Sequence, residues 1–208
     1  MEATVLYGAR DVRFEDRPNP AILEPTDAII RLPFTCICGS DLWPYRGLQP
    51  VAAPAPMGHE YCGVVEEVGA DVTSIRPGQF VIGSFFASDN TCPHCRHGYQ
   101  TSCQRFEPVV GAQAPHMRVK ATRPGGSVGY VGVPHGVSLD GQPLFFSHVH
   151  LHGGPAPVRK YLPKLIDLVF NGTINPGKVF DLVLPLAQVA EGYRAMDERR
   201  AIKTLLRP

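Results

Sequence analysis

No run of about 18 apolar residues, the length that a membrane-spanning helix requires, occurs in this chain of 208 residues. Charge of one sign is not in excess either. Lys and Arg number 20 against 19 Asp and Glu, so there is no broad positive footprint for nucleic acid or an anionic membrane surface. The opening MEATVLYGARDVRFEDRP lacks the basic segment and apolar core of a secretory leader, and repeats and low-complexity tracts are absent. These absences predict a cytoplasmic protein whose partners are small molecules, neither nucleic acid nor membrane. A further absence concerns structure: from residue 4 to about residue 118, apolar residues do not recur at helical spacing.

What stands there instead is a series of short β-like runs, TVLY, VRFE, AIIRLPF, YCGVVEEVG and FVIGSFF, broken by turn residues. Gly and Pro, 21 each, are scattered through the chain rather than gathered in a linker, which suits many short strands and turns. With 44% hydrophobic residues the chain can bury a substantial core, in one large domain or two small ones. The second half changes character. Residues 157–170 carry Val158, Leu162, Leu165, Ile166 and Val169 at helical spacing, and Asn171-Gly172 supplies the stop. A second helix is predicted over residues 186–197, entered through Pro185 with Val189, Ala190 and Tyr193 on one face, and a closing strand over residues 202–206. The fold class is therefore mainly β with C-terminal helices, α+β. Gly125-Gly126-Ser127-Val128-Gly129-Tyr130-Val131-Gly132-Val133 reads as a buried strand with turn glycines. A phosphate-binding G-x-G-x-x-G opens a helix, whereas here another apolar strand follows.

The six cysteines all fall in the first half, and in a cytosolic chain metal binding suits them better than disulfides. Cys92-x2-Cys95-x7-Cys103 carries the strongest signal, because two thiolates three positions apart chelate one zinc and a more distant thiolate adds a third corner. Asp89 continues that spacing backward and offers a carboxylate oxygen for the fourth corner, with His94 and His97 as competitors that sit in more exposed loop positions. A closed site of this kind is structural. Cys38-Gly39-Ser40-Asp41 and Gly58-His59-Glu60 form a second constellation, in which a thiolate, an imidazole and a carboxylate converge on one zinc and leave a corner open, the arrangement of a catalytic site. Asp41 is placed to accept the other ring proton of His59 and set its tautomer.

Gly58-His59-Glu60-x2-Gly63-x5-Gly69-x2-Val72 resembles the signature of zinc-dependent medium-chain alcohol dehydrogenases, with ICGSD at residues 37–41 at the expected distance before it. The cysteine-rich stretch resembles that family's structural-zinc loop, and the likeness extends to RPGGSVGYVG, to the segment around Gly153-Gly154 and to the closing AEGYRAMDERRAIKTLLRP. The resemblance implies a GroES-like β-barrel catalytic domain with a zinc lobe, a Rossmann domain inserted before its last part, and oxidation of alcohols with NAD(P). It also implies two zinc ions: one structural, on Asp89, Cys92, Cys95 and Cys103, and a weaker catalytic one on Cys38, His59 and Glu60. Ser40 then corresponds to the hydroxyl that passes the substrate proton, and Lys203 to the basic residue that meets the cofactor pyrophosphate. Trp43 stands where many members have a relay histidine, and Asp89 where most have a cysteine. Cys36 and Cys62 match no ligand position and are read as small buried hydrophobes.

The insertion itself is not found. A Rossmann domain takes on the order of 120–150 residues, whereas only Lys120 and Ala121 lie between Val119 and Thr122. The expected organisation is a GroES-like domain over residues 1–118, a remnant of the Rossmann sheet over 119–154, and a segment over 155–208 that completes the catalytic domain. A natural deletion and an engineered or fragmentary joint both account for the unusual APHMR at residues 114–118. Without a nucleotide domain, tight NAD(P) binding and independent dehydrogenase activity are not expected. The remaining readings are a nicotinamide-independent zinc hydrolase or hydratase and a non-enzymatic dimeric module. His116 is a candidate for the lost fourth ligand or else an exposed loop histidine. His148, His150 and His152 alternate on one strand face, their ends roughly 13 Å apart and too far to share a zinc. Ligands are expected to be a small alcohol or aldehyde, and a homodimer is expected through the strand at residues 144–152.

Overall fold

The computed structural model describes residues 1–97, 100, 103–121 and 158–208, the side chains of 158–160 excepted. The strands expected over 127–133 and 144–152, the three alternating histidines and the dimer contact drawn from them lie outside these residues.

Strands β1 (Glu2–Gly8) and β2 (Asp11–Asp16) form an antiparallel pair, followed by β3 (Asp27–Cys36), a ten-residue strand that organises the rest. Its sequence, DAIIRLPFTC, is long and apolar, and seven of its residues are buried, as a strand covered on both faces and edges requires. A short β4 (Ala55–Pro56) adds to β1, and β5 (Tyr61–Val68) runs antiparallel along one edge of β3. Strand β6 (Phe80–Ile82) lies outside β5, and β7 (Phe86–Ala87) pairs with β8 (Glu107–Pro108). The other edge of β3 is shared. Strand β9 (His116–Lys120) covers its first half, at residues 27–31, and β11 (Thr204–Arg207), with β10 (Leu182–Pro185) parallel beside it, covers Thr35 and Cys36. The last residues of the chain thus complete the sheet built on β3, whereas β1, β2 and β4 form a separate three-stranded sheet.

Two cores result. Ala28, Ile30 and Leu32 alternate along β3 and pack with Val65, Ala112, Met117 and Val119. The other core joins distant segments, with Leu6, Ile37, Leu42, Tyr45 and Met57 packed against Leu186, Val189, Tyr193, Met196 and Leu206. Gly63 shows how tightly the strands approach: a Cβ there would lie 2.1 Å from the Arg31 carbonyl oxygen, so a side chain would force β3 and β5 apart.

The described helical turns missing from the sequence reading are 3-10 turns at Gly39–Asp41 and Pro176–Val179, α1 (Leu42–Tyr45) and α2 (Pro93–Arg96). None exceeds four residues, too few to display a 3.6-residue period. The predicted FVIGSFF strand divides between β6 and β7. Helix α3 (Val158–Phe170) ends where Gly172 takes φ +74°, the left-handed stop that its Asn-Gly pair announces. The predicted helix at 186–197 begins as a 3-10 turn, Leu186–Gln188, before α4 (Val189–Asp197). The closing strand starts at Thr204 rather than Ile202, because the backbone N–H groups of Ile202 and Lys203 donate to the Asp181 carboxylate instead of a sheet ladder. Among the described residues no helix is long and apolar enough to cross a membrane.

Candidate metal centres

Between β7 and β8 the chain forms a lobe whose described hydrophobic cluster is three cysteines. Cys92, Cys95 and Cys103 are buried together, and they have their own cluster apart from both cores. Asn90 takes φ +58°, a left-handed conformation that Asn tolerates, and turns the chain so that Asp89 and Cys92 face the same point. The ligand atoms of Asp89, Cys92, Cys95 and Cys103 all lie within 4.8 Å of one another. Cys92 and Cys95 sulfurs are 3.4 Å apart, and Asp89 Oδ1 lies 3.4 Å from Cys103 Sγ and 3.7 Å from Cys95 Sγ. A tetrahedron with zinc–sulfur bonds of about 2.3 Å and a zinc–oxygen bond of about 2.1 Å has edges of roughly 3.5–3.8 Å, so the group has the dimensions of one zinc. The Asp89 carboxyl is held far below the ordinary carboxylate range, chiefly by the Thr91 N–H, which outweighs burial with help from the Thr91 hydroxyl. The Gln104 and Cys95 backbone groups lower Cys92, while burial and the neighbouring sulfurs raise Cys95. His94 and His97 are exposed, and His97 Nδ1 is engaged with the Pro93 carbonyl at 2.7 Å.

The second centre forms where β3 ends and β5 begins. Cys38 Sγ, a His59 ring nitrogen and a Glu60 carboxylate oxygen lie within 4.8 Å of one another. The exposed Ser40 hydroxyl stands 3.2 Å from both Cys38 Sγ and His59 Nε2. On the other side of the ring, His59 Nδ1 meets Asp41 Oδ1 at 3.2 Å, so Nδ1 carries the proton toward the carboxylate and Nε2 faces the centre. Burial depresses His59, but the hydrogen bonds to Asp41 and Cys38 outweigh it and raise its pKa to about 10. Gly58 takes φ +89° to make the turn, and a Cβ there would lie 2.6 Å from Gln113 Cγ. The glycine before the histidine is thus required both by conformation and by space.

Support comes from residues that the sequence did not single out. Asp41 is buried; its Oδ2 accepts from the Cys38 N–H at 2.9 Å and from Gln113 Nε2 at 3.3 Å. Gln113 is fully buried, and its Oε1 accepts from the Tyr193 hydroxyl of α4 at 3.2 Å. The Phe85 ring stands edge-on to His59 at 5.8 Å and continues through Phe86 to Phe106, an aromatic line from the centre toward the lobe. Gln113 lies in a loop and Phe85 between strands, and neither position has a periodicity that would mark it beforehand.

Other predicted residues stand elsewhere. Lys203, read as the basic residue that meets the cofactor pyrophosphate, has its side chain 19% exposed and its Nζ 2.6 Å from Glu60 Oε2. His116 sits on β9 with Nε2 3.1 Å from Glu66 Oε2, neither in a loop nor with the ligand group. Trp43 is half-buried on α1. Cys62 is half-exposed rather than buried, and Cys36, although buried, is not merely apolar, since its thiol touches Glu60 Oε2 at 2.6 Å.

A closed sulfur-rich group and an open sulfur, nitrogen and oxygen group, both on a β-rich domain, define a metal-binding protein whose donors suit zinc. The pattern of the alcohol dehydrogenase GroES-like domain matches residues 24–135, and the chain belongs to that family. Zinc-type alcohol dehydrogenase B of Aspergillus flavus is 36% identical over 124 residues, which cover 57% of this chain and 29% of that protein. The zinc-type alcohol dehydrogenase-like protein AdhB of Bacillus subtilis is 34% identical over 137 residues, 64% of this chain and 36% of that protein. The chain therefore spans about a third of these relatives' lengths. In three dimensions, the alcohol dehydrogenase TADH of Thermus sp. ATN1 superposes with a TM-score of 0.83 at 20% identity, the match covering 100% of this chain and 99% of that one, a likeness of fold.

Proposed function

We propose that this chain is the zinc-binding, alcohol-handling half of a zinc-type alcohol dehydrogenase, and that by itself it passes hydride to NAD or NADP at a negligible rate. One observation carries the first part: an exposed hydroxyl, Ser40, lies 3.2 Å from two members of an S/N/O donor set, with Asp41 orienting the imidazole from behind. Asp89, Cys92, Cys95 and Cys103 would hold one structural zinc, and Cys38, His59 and Glu60 a weaker one. Zinc bound at the second centre would supply Lewis acidity to an alcohol at its open corner and lower the pKa of that hydroxyl. Ser40 accepts the alcohol proton and, being exposed, gives it to bulk water directly, which removes the need for a histidine where Trp43 stands. The Phe85 ring walls the centre and keeps water from one side. The pairing of β11 with β3 supports reading residues 155–208 as completing the domain of residues 1–118, and β9, which pairs Val119 and Lys120 with β3, carries that domain to residue 120.

No G-x-G-x-x-G that would seat the pyrophosphate of a hydride acceptor occurs in the sequence. Losing the positioning of two reactants forfeits roughly 7–11 kcal/mol of barrier reduction. Pure, zinc-loaded protein mixed with primary and secondary alcohols and NAD or NADP should form reduced nicotinamide no faster than a zinc-free control. Rapid alcohol-dependent formation overturns the second part of the proposal. Ester hydrolysis lost on chelation and in Cys38→Ser would replace it with a nicotinamide-independent hydrolase.

A further inference from the structure

Gln113 joins three segments that the second metal centre needs in register. Its backbone N–H donates to the Met57 carbonyl at 3.1 Å, and the Ala112 N–H before it donates to the Gly58 carbonyl at 3.1 Å, so the main chain here grips the turn that carries His59. The side chain, fully buried, crosses to a second segment. Nε2 stands 3.4 Å from the Cys36 carbonyl oxygen and 3.3 Å from Asp41 Oδ2, residues that flank Cys38 in sequence. From α4, the third segment, the fully buried Tyr193 hydroxyl donates to Oε1 at 3.2 Å.

The chemistry of these partners fixes the orientation of the amide. A carbonyl and a carboxylate only accept, so both demand the NH2 end, and a reversed amide would turn Oε1 toward two acceptors. Tyr193 supplies the donor that the remaining oxygen needs, since a buried carbonyl left unpaired costs free energy. Asp41 is held in turn. Its Oδ2 accepts from Gln113 and from the Cys38 N–H at 2.9 Å, which leaves Oδ1 to face His59 Nδ1 at 3.2 Å. We propose that Gln113 is a positioning residue of this centre, holding Asp41 on His59 in an orientation that Tyr193 locks, so that metal affinity there depends on the docking of α4. This rests on the functional reading above and deepens it. Because such coupling is reciprocal, a metal at the centre also tightens the docking of α4.

The test uses the full chain with zinc in the lobe and cobalt(II) titrated at the second centre. Gln113→Leu should weaken cobalt by about tenfold, the lower end of what losing an outer hydrogen-bond partner of a ligand costs, with lobe zinc unchanged. Tyr193→Phe, which removes one oxygen and keeps the ring, should weaken it by a smaller factor. A residue acting through Gln113 adds nothing once Gln113 is gone, so the double variant should bind cobalt as Gln113→Leu does. In the unmutated protein with zinc at both centres, the His59 Nδ1–H should give a ring proton resonance protected from solvent exchange, and Tyr193→Phe should speed that exchange, a signature that requires no Gln113 variant to fold. Losses that multiply in the double variant, or an affinity and a ring resonance unchanged in the single variants, overturn the positioning role and leave the functional reading standing. Failure of the unmutated protein to bind cobalt at the second centre overturns both.

Discussion

Asp27 opens β3 with none of its surface exposed, and its carboxyl is held below the ordinary aspartate value of 3.8. Burial pushes it up, but the N–H groups of Glu24 and Leu23 and the Arg118 guanidinium outweigh that push. A depressed folded pKa stabilises the native state fully above the unfolded value, and the contribution disappears as pH falls through the lower folded value. Asp27→Asn should cost about 1–3 kcal/mol at pH 7, because buried amide hydrogens and Arg118 lose their partner. Urea unfolding should show the gap between the two proteins narrowing below pH 3.8. At the second metal centre the proton competes with the metal. With His59 raised to about 10, zinc must displace an imidazole proton, so affinity should climb by about tenfold per pH unit between pH 6 and pH 8 for each proton displaced. Asp41→Asn removes the carboxylate that orients the ring and should weaken that zinc by about 10–100-fold. Competition titration with a chromogenic chelator measures both, and an unchanged affinity would show that Asp41 does not position His59.

The lobe is an element with almost no hydrophobic interior. Among the described residues its buried hydrophobic cluster is Cys92, Cys95 and Cys103 themselves, with Ser88 and Gln100 the buried polar side chains, and its only strand pairing is the two-residue β7–β8 ladder. A metal that joins four side chains supplies the folding free energy that apolar packing elsewhere provides. Cys95→Ser should therefore remove about one equivalent of zinc, as a single tetrahedral site predicts, and lower the thermal midpoint. Amide exchange should rise around residues 86–108 while β3 and β5 remain protected. Uniform loss of protection across the sheet would mean that the lobe and the barrel unfold as one unit. The spacing of these cysteines and Asp89 was legible from the chain because all four candidate ligands lie within 15 residues, where loop closure restricts geometry. Lys203 was not: its partner Glu60 is 143 positions away, and only the placement of β11 brings them together.

For the whole molecule, the decisive feature is that the C-terminal segment folds back into the first domain. Leu186, Val189, Tyr193 and Leu206 cover Leu6, Ile37, Tyr45 and Met57, and β11 occupies the edge of β3 beside Cys36. Deleting residues 186–208 should expose this core, leave backbone groups of β3 unpaired and remove the Tyr193 hydroxyl from Gln113. The truncated chain should be insoluble or bind a dye for exposed apolar surface. A truncated form that unfolds cooperatively and retains both metals would show that the barrel stands alone.

By itself the sequence determined the family, the β-rich class, most strand positions and the two groups of candidate metal-binding residues that the fold brings together. These depend on local alternation, on turn glycines and on ligand spacing, all of which are written in consecutive residues. Tertiary structure alone decided which side chains stand behind those groups. Gln113 and Tyr193 brace Asp41 from a loop and from α4, and Cys36 at the end of β3 and Lys203 just before β11 meet on Glu60. A hydrogen bond reaches across about 3 Å of space whatever the separation along the chain, so a partner 80 or 143 residues away leaves no pattern to read until the sheet has closed.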